Sequence, residues 1–184
     1  MKKIYYGKAV YDSKEINAVI KVLRNNSLTL IDGEKVKILE KTVAKIFGKK
    51  YGLMVNSGSS ANLLSIASFN FKKGSEIITP NLTFSTTVAP IFQLGLVPHF
   101  VGVEKNKFVA DPKQIEKCVN KKTVALMIPN LLGNIADWKS ISKIAKKYKL
   151  KVIEDSADTI GYSVNGKNLG QYSDISTNSF YASH

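Results

Sequence analysis

Short runs of β-branched and aliphatic residues alternate with helical patterns along most of this chain, and that alternation restricts its fold more than any other feature. The runs predict strands at 51–56, 75–79, 97–103, 123–128, 151–154 and 175–180. Helices are predicted between them at 61–69, 84–94, 112–119 and 138–148, and before them at 13–24 and 33–47. This alternation is typical of an α/β fold with a mainly parallel sheet. Ligands bind beyond the carboxyl ends of the strands in such sheets, so the strand-to-helix junctions are candidate sites.

The composition indicates a globular protein from a reducing compartment. With 184 residues, of which 44% are apolar, the chain is long enough for a proper core. Its single cysteine, Cys118, rules out a disulfide framework within the chain. The amino terminus lacks the apolar segment of a secretory signal, and no stretch approaches the roughly 20 apolar residues of a membrane span. We therefore expect a soluble cytoplasmic protein that makes no membrane contact.

The formal charge of +13 raises the alternative of nucleic-acid binding. Arg24 is the only arginine, however, and the lysines are scattered over predicted helix faces and loops. Proteins that grip phosphate backbones or read bases use arginine forks and interleaved aromatic residues. A solvated, lysine-rich surface is therefore favoured over a nucleic-acid site, and its positive field would also suit a small anionic substrate.

Two of the predicted junctions could hold the parts of a flat, phosphorylated ligand. The motif NSGSSAN at 56–62 places glycine and serines at a helix start, where free N–H groups and hydroxyls can bind phosphate. A plain N-cap at Ser57 or Ser59 explains the same residues equally well. After the next strand, TPNLTFSTT at 79–87 carries Phe84, which could lie on a planar ring or belong to the core.

Two later junctions carry titratable side chains. In VIEDSAD at 152–158, the residues Glu154, Asp155 and Asp158 crowd the end of a buried strand. Buried carboxylates are costly unless they are paired or functional, although a helix N-cap at Asp155 or Ser156 is the alternative. The last junction is NSFYASH, where Ser179 could donate to a phosphate and His184 could transfer protons near neutral pH.

Taken together, these junctions resemble the DegT/StrS family of nucleotide-sugar aminotransferases and their dehydratase relatives. The resemblance rests on NSGSSANLL, EIITPNLTFSTT, GLVPHFVGV, LLGNIADW, VIEDSADTIG and NSFYASH, and it extends from about residue 13 onward. It implies the three-layer large domain of pyridoxal phosphate fold type I, similar to aspartate aminotransferase. We expect an N-terminal helical arm at 1–30 and an incomplete large domain at 31–184.

The resemblance also implies roles for individual residues. Ser59, Ser60 and Ser179 would bind the phosphate of pyridoxal or pyridoxamine phosphate, and Phe84 would stack on its ring. Asp155 would pair with the ring nitrogen, Asp158 would lie near the ring hydroxyl, and Asn134 would face the substrate. A carboxylate against the ring nitrogen keeps the cofactor's electron sink charged.

His184 departs from the aminotransferases of this family, in which the corresponding residue is the lysine that binds the cofactor aldehyde covalently. The preceding SFYAS fixes the register, so the nearby Lys167 does not replace it. Histidine at this position resembles the 3-dehydratase branch, which acts on nucleotide-linked 4-keto-6-deoxyhexoses with pyridoxamine phosphate and uses the imidazole as a base. The resemblance therefore implies a sugar 3-dehydratase of deoxysugar or lipopolysaccharide biosynthesis. The alternatives are a sugar aminotransferase and a non-catalytic or regulatory protein that binds nucleotide sugars.

Several expectations concern what lies outside the chain. Family members are roughly twice as long and form homodimers, so we expect a truncated large domain that is marginally stable and inactive by itself. Some dehydratases of the branch hold an iron–sulfur cluster on cysteines downstream of the histidine, and Cys118 matches none of these. The nucleotide, the final sugar and a possible reductase partner are not defined by the residues present, and no metal site is predicted.

Overall fold

The computed structural model describes residues 4–5, 7–25, 30–31, 33–164 and 166–181. Helices occupy Ser13–Asn25 (α1), Glu34–Ile46 (α2), Gly58–Ala67 (α3), Ser85–Gln93 (α4), Pro112–Cys118 (α5) and Trp138–Tyr148 (α6). Strands occupy Glu76–Pro80 (β1), Val97–Val101 (β2), Thr123–Pro129 (β3), Lys151–Ser156 (β4), Ser163–Val164 (β5), Lys167–Asn168 (β6) and Ile175–Asn178 (β7). Two 3₁₀ turns, Leu131–Gly133 and Leu169–Tyr172, follow β3 and β6.

Five of the strands form one parallel sheet in the order β2-β1-β3-β4-β7, which confirms the α/β prediction. The two short strands β5 and β6 pair with each other as an antiparallel hairpin. The chain moves outward from β1 to β2 and then crosses back over β1 to β3. This reversal is the kind of topological switch point at which parallel sheets open a crevice for ligands.

Helices cover both faces of the sheet because consecutive side chains of a strand point in opposite directions. One face packs against α5 and α6, and its buried residues include Ile78, Leu126, Val152, Ile115 and Trp138. The other face packs against α3 and α4, and its buried residues include Ile77, Met127, Ile153, Ile66 and Ile91. The result is the expected three-layer arrangement, with an apolar core on each side of the sheet.

The strand predicted at 51–56 is wrong, because the structure gives this segment no strand pairing. The segment lies against α2 instead. The Met54 amide donates to the Glu40 carboxylate at 2.8 Å, and a Cβ added at Gly52 would overlap the Glu40 carbonyl oxygen. A strand requires a neighbour for its ladder, and none of the described strands lies beside this one.

The remaining boundaries differ by a few residues. Helix α3 begins at Gly58 rather than 61, because the Ser57 hydroxyl accepts a hydrogen bond from the Ser60 amide at 3.1 Å and caps the helix early. Strand β7 ends at Asn178 instead of 180. Helix α1 forms as expected but has no buried residue, so the boundary of the N-terminal arm stays a prediction. In the described parts of the chain, none of the helices has the length and apolar character needed to cross a bilayer.

Replacing Trp138 tests how firmly the base of the loop after β3 is held. Trp138 is fully buried, and its indole N–H donates to Asn130 Oδ1 at 2.9 Å. The substitution Trp138→Phe keeps an aromatic ring but removes this hydrogen bond, so the free energy of unfolding should fall by about 1 kcal/mol. Urea denaturation measures the change. The partly exposed Tyr148→Phe is the control and should be nearly neutral, and equal effects of the two variants would contradict the assignment.

Candidate active site

A cavity of about 390 Å³ opens at the carboxyl edge of the sheet. Segments that follow β1, β3, β4 and β7 line it, together with the first turn of α3. Of the predicted site residues, it brings together Ser59, Phe84, Asp155, Asp158 and Ser179. The cavity therefore lies where the strand order and the sequence motifs both predict a ligand site.

Asp155 lines this cavity and is only 6% exposed. Its Oδ2 accepts hydrogen bonds from Asn62 Nδ2 at 2.9 Å and from Thr87 Oγ1 at 2.8 Å. Its Oδ1 accepts from the Ala157 amide at 3.2 Å. These donors hold the carboxylate in one orientation beside the cavity.

Burial raises the pKa of the Asp155 carboxyl above its ordinary value of 3.8, and the hydrogen bonds from Thr87 and Asn62 oppose this shift. The neighbouring carboxylate of Asp158 adds to the increase through like-charge repulsion. A cation bound in the cavity would reverse the balance, because it would favour the ionised carboxylate. Asp155 is thus suited to a ligand that presents a protonated nitrogen.

Two further polar side chains, which the sequence did not reveal, orient the side chains of Asn62 and Thr87 that donate to Asp155. Thr177 Oγ1 on β7 donates to Asn62 Oδ1 at 2.7 Å, and Thr83 Oγ1 donates to Thr87 Oγ1 at 2.9 Å. Asn62, Thr87 and Thr177 are all buried. A polar residue on the sheet-facing side of an apolar helix is the signal that could have identified Asn62 and Thr87, because such groups need partners.

Glu154 and Asp155 are adjacent in sequence but point to opposite faces of β4. Glu154 is fully buried outside the cavity, where Ser156, Ser173 and Ser176 donate to its carboxylate. Burial raises its pKa, and these hydroxyl donors oppose the shift. The predicted crowding of carboxylates therefore separates into Asp155 and Asp158 at the cavity and Glu154 in a structural network.

The start of α3 lies beside the end of β7. A Cβ added at Gly58 would lie 3.2 Å from Ser179 Cβ and 3.5 Å from Ser179 Oγ, so the two segments are in close contact. The Ser57 side chain accepts from the Ser60 amide, and its carbonyl accepts from the Ala61 amide. Among the described residues, the amides of Gly58 and Ser59 have no acceptor, and both residues line the cavity. These two amides, together with the hydroxyls of Ser59 and Ser179, could hold an anion at the positive end of the helix.

Ser60 and Asn134 occupy different places from the other candidates. The Ser60 hydroxyl accepts from Ser57 Oγ at 3.2 Å, and its side chain is not among those lining the cavity. The side-chain amide of Asn134 donates to the Leu131 carbonyl oxygen at 3.0 Å and also lies off the cavity wall. Their predicted roles in binding remain predictions.

Asp158 and Phe84 line the same cavity and are more exposed than Asp155. Phe84 is 66% exposed, which leaves its ring free to face a ligand. Asp158 Oδ2 accepts a hydrogen bond from the Leu132 amide at 2.7 Å. Leu132 itself has the left-handed conformation, with φ of 54° and ψ of 33°, which costs a non-glycine residue about 1–2 kcal/mol. The Asp158 bond offsets part of that cost.

His184 lies outside the described residues, so its position relative to the cavity stays a prediction. Ser179 and Tyr181, which precede it in NSFYASH, both line the cavity.

The fold and this site define the class to which the chain belongs. The sequence profile of the DegT/DnrJ/EryC1/StrS aminotransferase family matches residues 10–184, and the chain is a member of that family. Its architecture is the large domain of pyridoxal phosphate fold type I.

Individual relatives are similar over nearly the whole chain. A GDP-4-keto-6-deoxy-D-mannose 3-dehydratase from Yersinia pseudotuberculosis is 38% identical over 96% of this chain and 46% of its own length. The Escherichia coli enzyme of that name, solved with bound hydrated PLP, superposes with a TM-score of 0.81 at 37% identity, covering 88% of this chain and 43% of that one. Helicobacter pylori PseC, an aminotransferase of pseudoaminic acid biosynthesis, gives a TM-score of 0.91 at 29% identity, covering 98% and 48%. The chain thus spans about half the length of the relatives it matches.

Replacing Asp155 tests how much free energy is lost when its ionised carboxylate is buried. Because its native pKa is raised, Asp155 contributes stability that is fully present below its ordinary pKa of 3.8 and is lost as pH rises through the higher native value. Asp155→Asn should remove this contribution, so its free energy of unfolding should fall less with rising pH than that of the wild type. Urea denaturation over a series of pH values measures this difference.

The control for this measurement is Glu34→Gln, which alters an exposed carboxylate in the first turn of α2. This variant keeps Asp155, so its free energy of unfolding should retain the decrease with rising pH that Asp155→Asn loses. A profile of Asp155→Asn that overlays the wild type would show that Asp155 does not carry the burial penalty.

Proposed function

We propose that this protein is a pyridoxamine phosphate-dependent enzyme that removes the 3-hydroxyl group from a nucleotide-linked 4-keto-6-deoxyhexose. The position of Asp155 carries the assignment of the cofactor class, because Asp155 is a buried carboxylate that lines the cavity and is oriented by two donors. The dehydratase relatives and the histidine at position 184 favour this branch over amino transfer. Such an enzyme would serve deoxysugar or lipopolysaccharide biosynthesis.

The residues of the cavity fit the proposed cofactor. Asp155 would bind the protonated ring nitrogen, and the exposed ring of Phe84 would cover one face of the pyridine. Ser59 and Ser179 would hold the phosphate with the free amides of the α3 start, and Ser60 would join them by turning its hydroxyl from Ser57 toward the cavity. Asp158 would lie near the ring hydroxyl. When bound, the cofactor would supply an electron sink that makes its exocyclic carbon acidic enough to lose a proton.

His184 would move the proton in this reaction. An imidazole with a pKa near neutrality can take a proton from carbon and return it to a leaving hydroxyl, whereas it cannot form the stable covalent link that a lysine makes with the cofactor aldehyde. We therefore assign His184 as the base. Asn134 is proposed to contact the substrate from the loop after β3.

The assembly that completes the site is also part of the proposal. We propose a cytoplasmic homodimer that works with a reductase, and an iron–sulfur cluster would require cysteines other than Cys118. The charge of +13 suits an anionic nucleotide sugar.

A sugar aminotransferase is the second candidate, because Helicobacter pylori PseC matches more of this chain in space than the dehydratase structure does. The absence of lysine at position 184 counts against it.

The substitution His184→Asn in the full-length protein tests the proposed base. Asparagine keeps a polar side chain but cannot transfer the proton, so exchange of the pyridoxamine exocyclic hydrogen with solvent should fall by about 10²-fold or more. Pyridoxamine phosphate affinity should stay close to that of the wild type. NMR of the bound cofactor in deuterated solvent measures the exchange, and an unchanged rate would refute the role of His184.

The substitution His184→Lys tests the register of the last motif. If position 184 is where aminotransferases place their lysine, this variant should bind pyridoxal phosphate covalently and gain an absorption band that the wild type lacks. The wild-type protein is the control. It contains the nearby Lys167 but no lysine at position 184, so it should show no such band. A variant spectrum identical to the wild-type spectrum would place position 184 away from the cofactor aldehyde.

A further inference from the structure

Leu132 combines two features that ordinary surface leucines do not share. It is 71% exposed at the wall of the active-site cavity, and its backbone is left-handed at φ 54°. Leucine is disfavoured in this region, where glycine and asparagine are the usual residues. Strained backbone conformations cluster at functional sites, so the strain at Leu132 suggests a role for its side chain.

Hydrogen bonds at the tip and at the base of the loop after β3 hold Leu132 in its left-handed conformation. Asp158 Oδ2 accepts from the Leu132 amide at 2.7 Å. At the base of the loop, Asn130 is buried and accepts from both the Ala136 amide and the Trp138 indole. The loop is thus closed at its base and fixed at its tip, so Leu132 is directed by contacts rather than left to move freely.

The chemistry of the cavity wall shows what an exposed leucine could recognise. Ser57, Ser59, Thr83, Thr86 and Asp158 place polar groups on a wall whose larger part is apolar. Of the large side chains on the wall, Phe84 is assigned to the cofactor ring, Leu131 is half-buried and Tyr181 carries a hydroxyl, whereas Leu132 is exposed, wholly apolar and unassigned. Within a 4-keto-6-deoxyhexose, the 6-methyl group is the one wholly apolar substituent.

We propose that Leu132 determines specificity for the 6-deoxy sugar by packing against its 6-methyl group. This inference rests on the proposed function and identifies the substrate feature that the site selects. Leu132 gains from burying its exposed surface against a methyl group, and it offers no hydrogen bond to a 6-hydroxyl, which would lose its water on entering the site. Asp158 acts here as a positioning residue, because it fixes the backbone that carries Leu132.

Binding of matched sugar pairs to the full-length protein loaded with pyridoxamine phosphate tests this assignment. The ligands are GDP-, CDP-, dTDP- and UDP-hexoses, each prepared with and without its 6-hydroxyl, and calorimetry gives each Kd. The wild type should prefer the 6-deoxy member by about tenfold. Leu132→Asn, which tolerates the left-handed backbone, should abolish most of this preference by weakening binding of the 6-deoxy sugar.

Three further variants separate recognition from structure. Leu132→Met keeps an apolar side chain and should retain the preference, whereas Leu132→Gly relieves the backbone strain and should lose it. Leu64→Asn alters an exposed leucine of α3 that does not line the cavity, and it should behave as the wild type.

The outcomes distinguish this inference from the function on which it rests. A wild type that binds no nucleotide sugar of the four series would overturn both. A wild type that binds both members of a pair equally would overturn the role of Leu132 alone. The same conclusion would follow if Leu132→Asn kept the full preference for the 6-deoxy sugar, whatever its effect on subunit assembly.

Discussion

The hydrogen bonds that converge on the Asp155 carboxylate join more of this structure than any other contact described above. Asn62 brings α3 to β4, Thr87 brings α4 to the same oxygen, and Thr177 links β7 through Asn62. A buried carboxylate without such donors would carry a large desolvation penalty. The requirement to satisfy one acid therefore fixes the relative positions of two helices and two strands around the cavity.

The strand order supplies the space in which that acid can act. The connections after β1 and β3 run in opposite directions along the sheet, which opens a crevice at the carboxyl ends of the strands. The cavity lies at this edge. The α3 start and Ser179 approach each other there because a glycine at position 58 leaves room for contact. The cavity is lined both by the Asp155 carboxyl and by amides at the positive end of α3, which suits a ligand that is both protonated on a ring and phosphorylated.

The sequence was sufficient to predict the parallel sheet, because β4 and the neighbouring strands are apolar runs of strand length separated by clear helical patterns. It also predicted that Phe84, Asp158 and Ser179 follow strands, and the cavity brings these residues together with Asp155 of β4 and Ser59 of α3. Their roles in binding stay predictions. It failed at 51–56, where strand-forming residues lack a partner strand within the described chain. It did not reveal Asn62 or Thr87, because the orientation of a polar residue on a helix depends on which face meets the sheet. The left-handed backbone of Leu132 was equally hidden, since the adjacent Gly133 is the residue that composition suggests for a turn.

The opposite orientation of Glu154 and Asp155 on β4 limits how this protein can change. Inserting a single residue in the first half of that strand would turn its later side chains over. Glu154 would then face the cavity with a longer side chain, and Asp155 would lose contact with Asn62 and Thr87. Length variation among descendants of this chain should therefore accumulate in the loops around β4, while the strand itself changes by substitution alone.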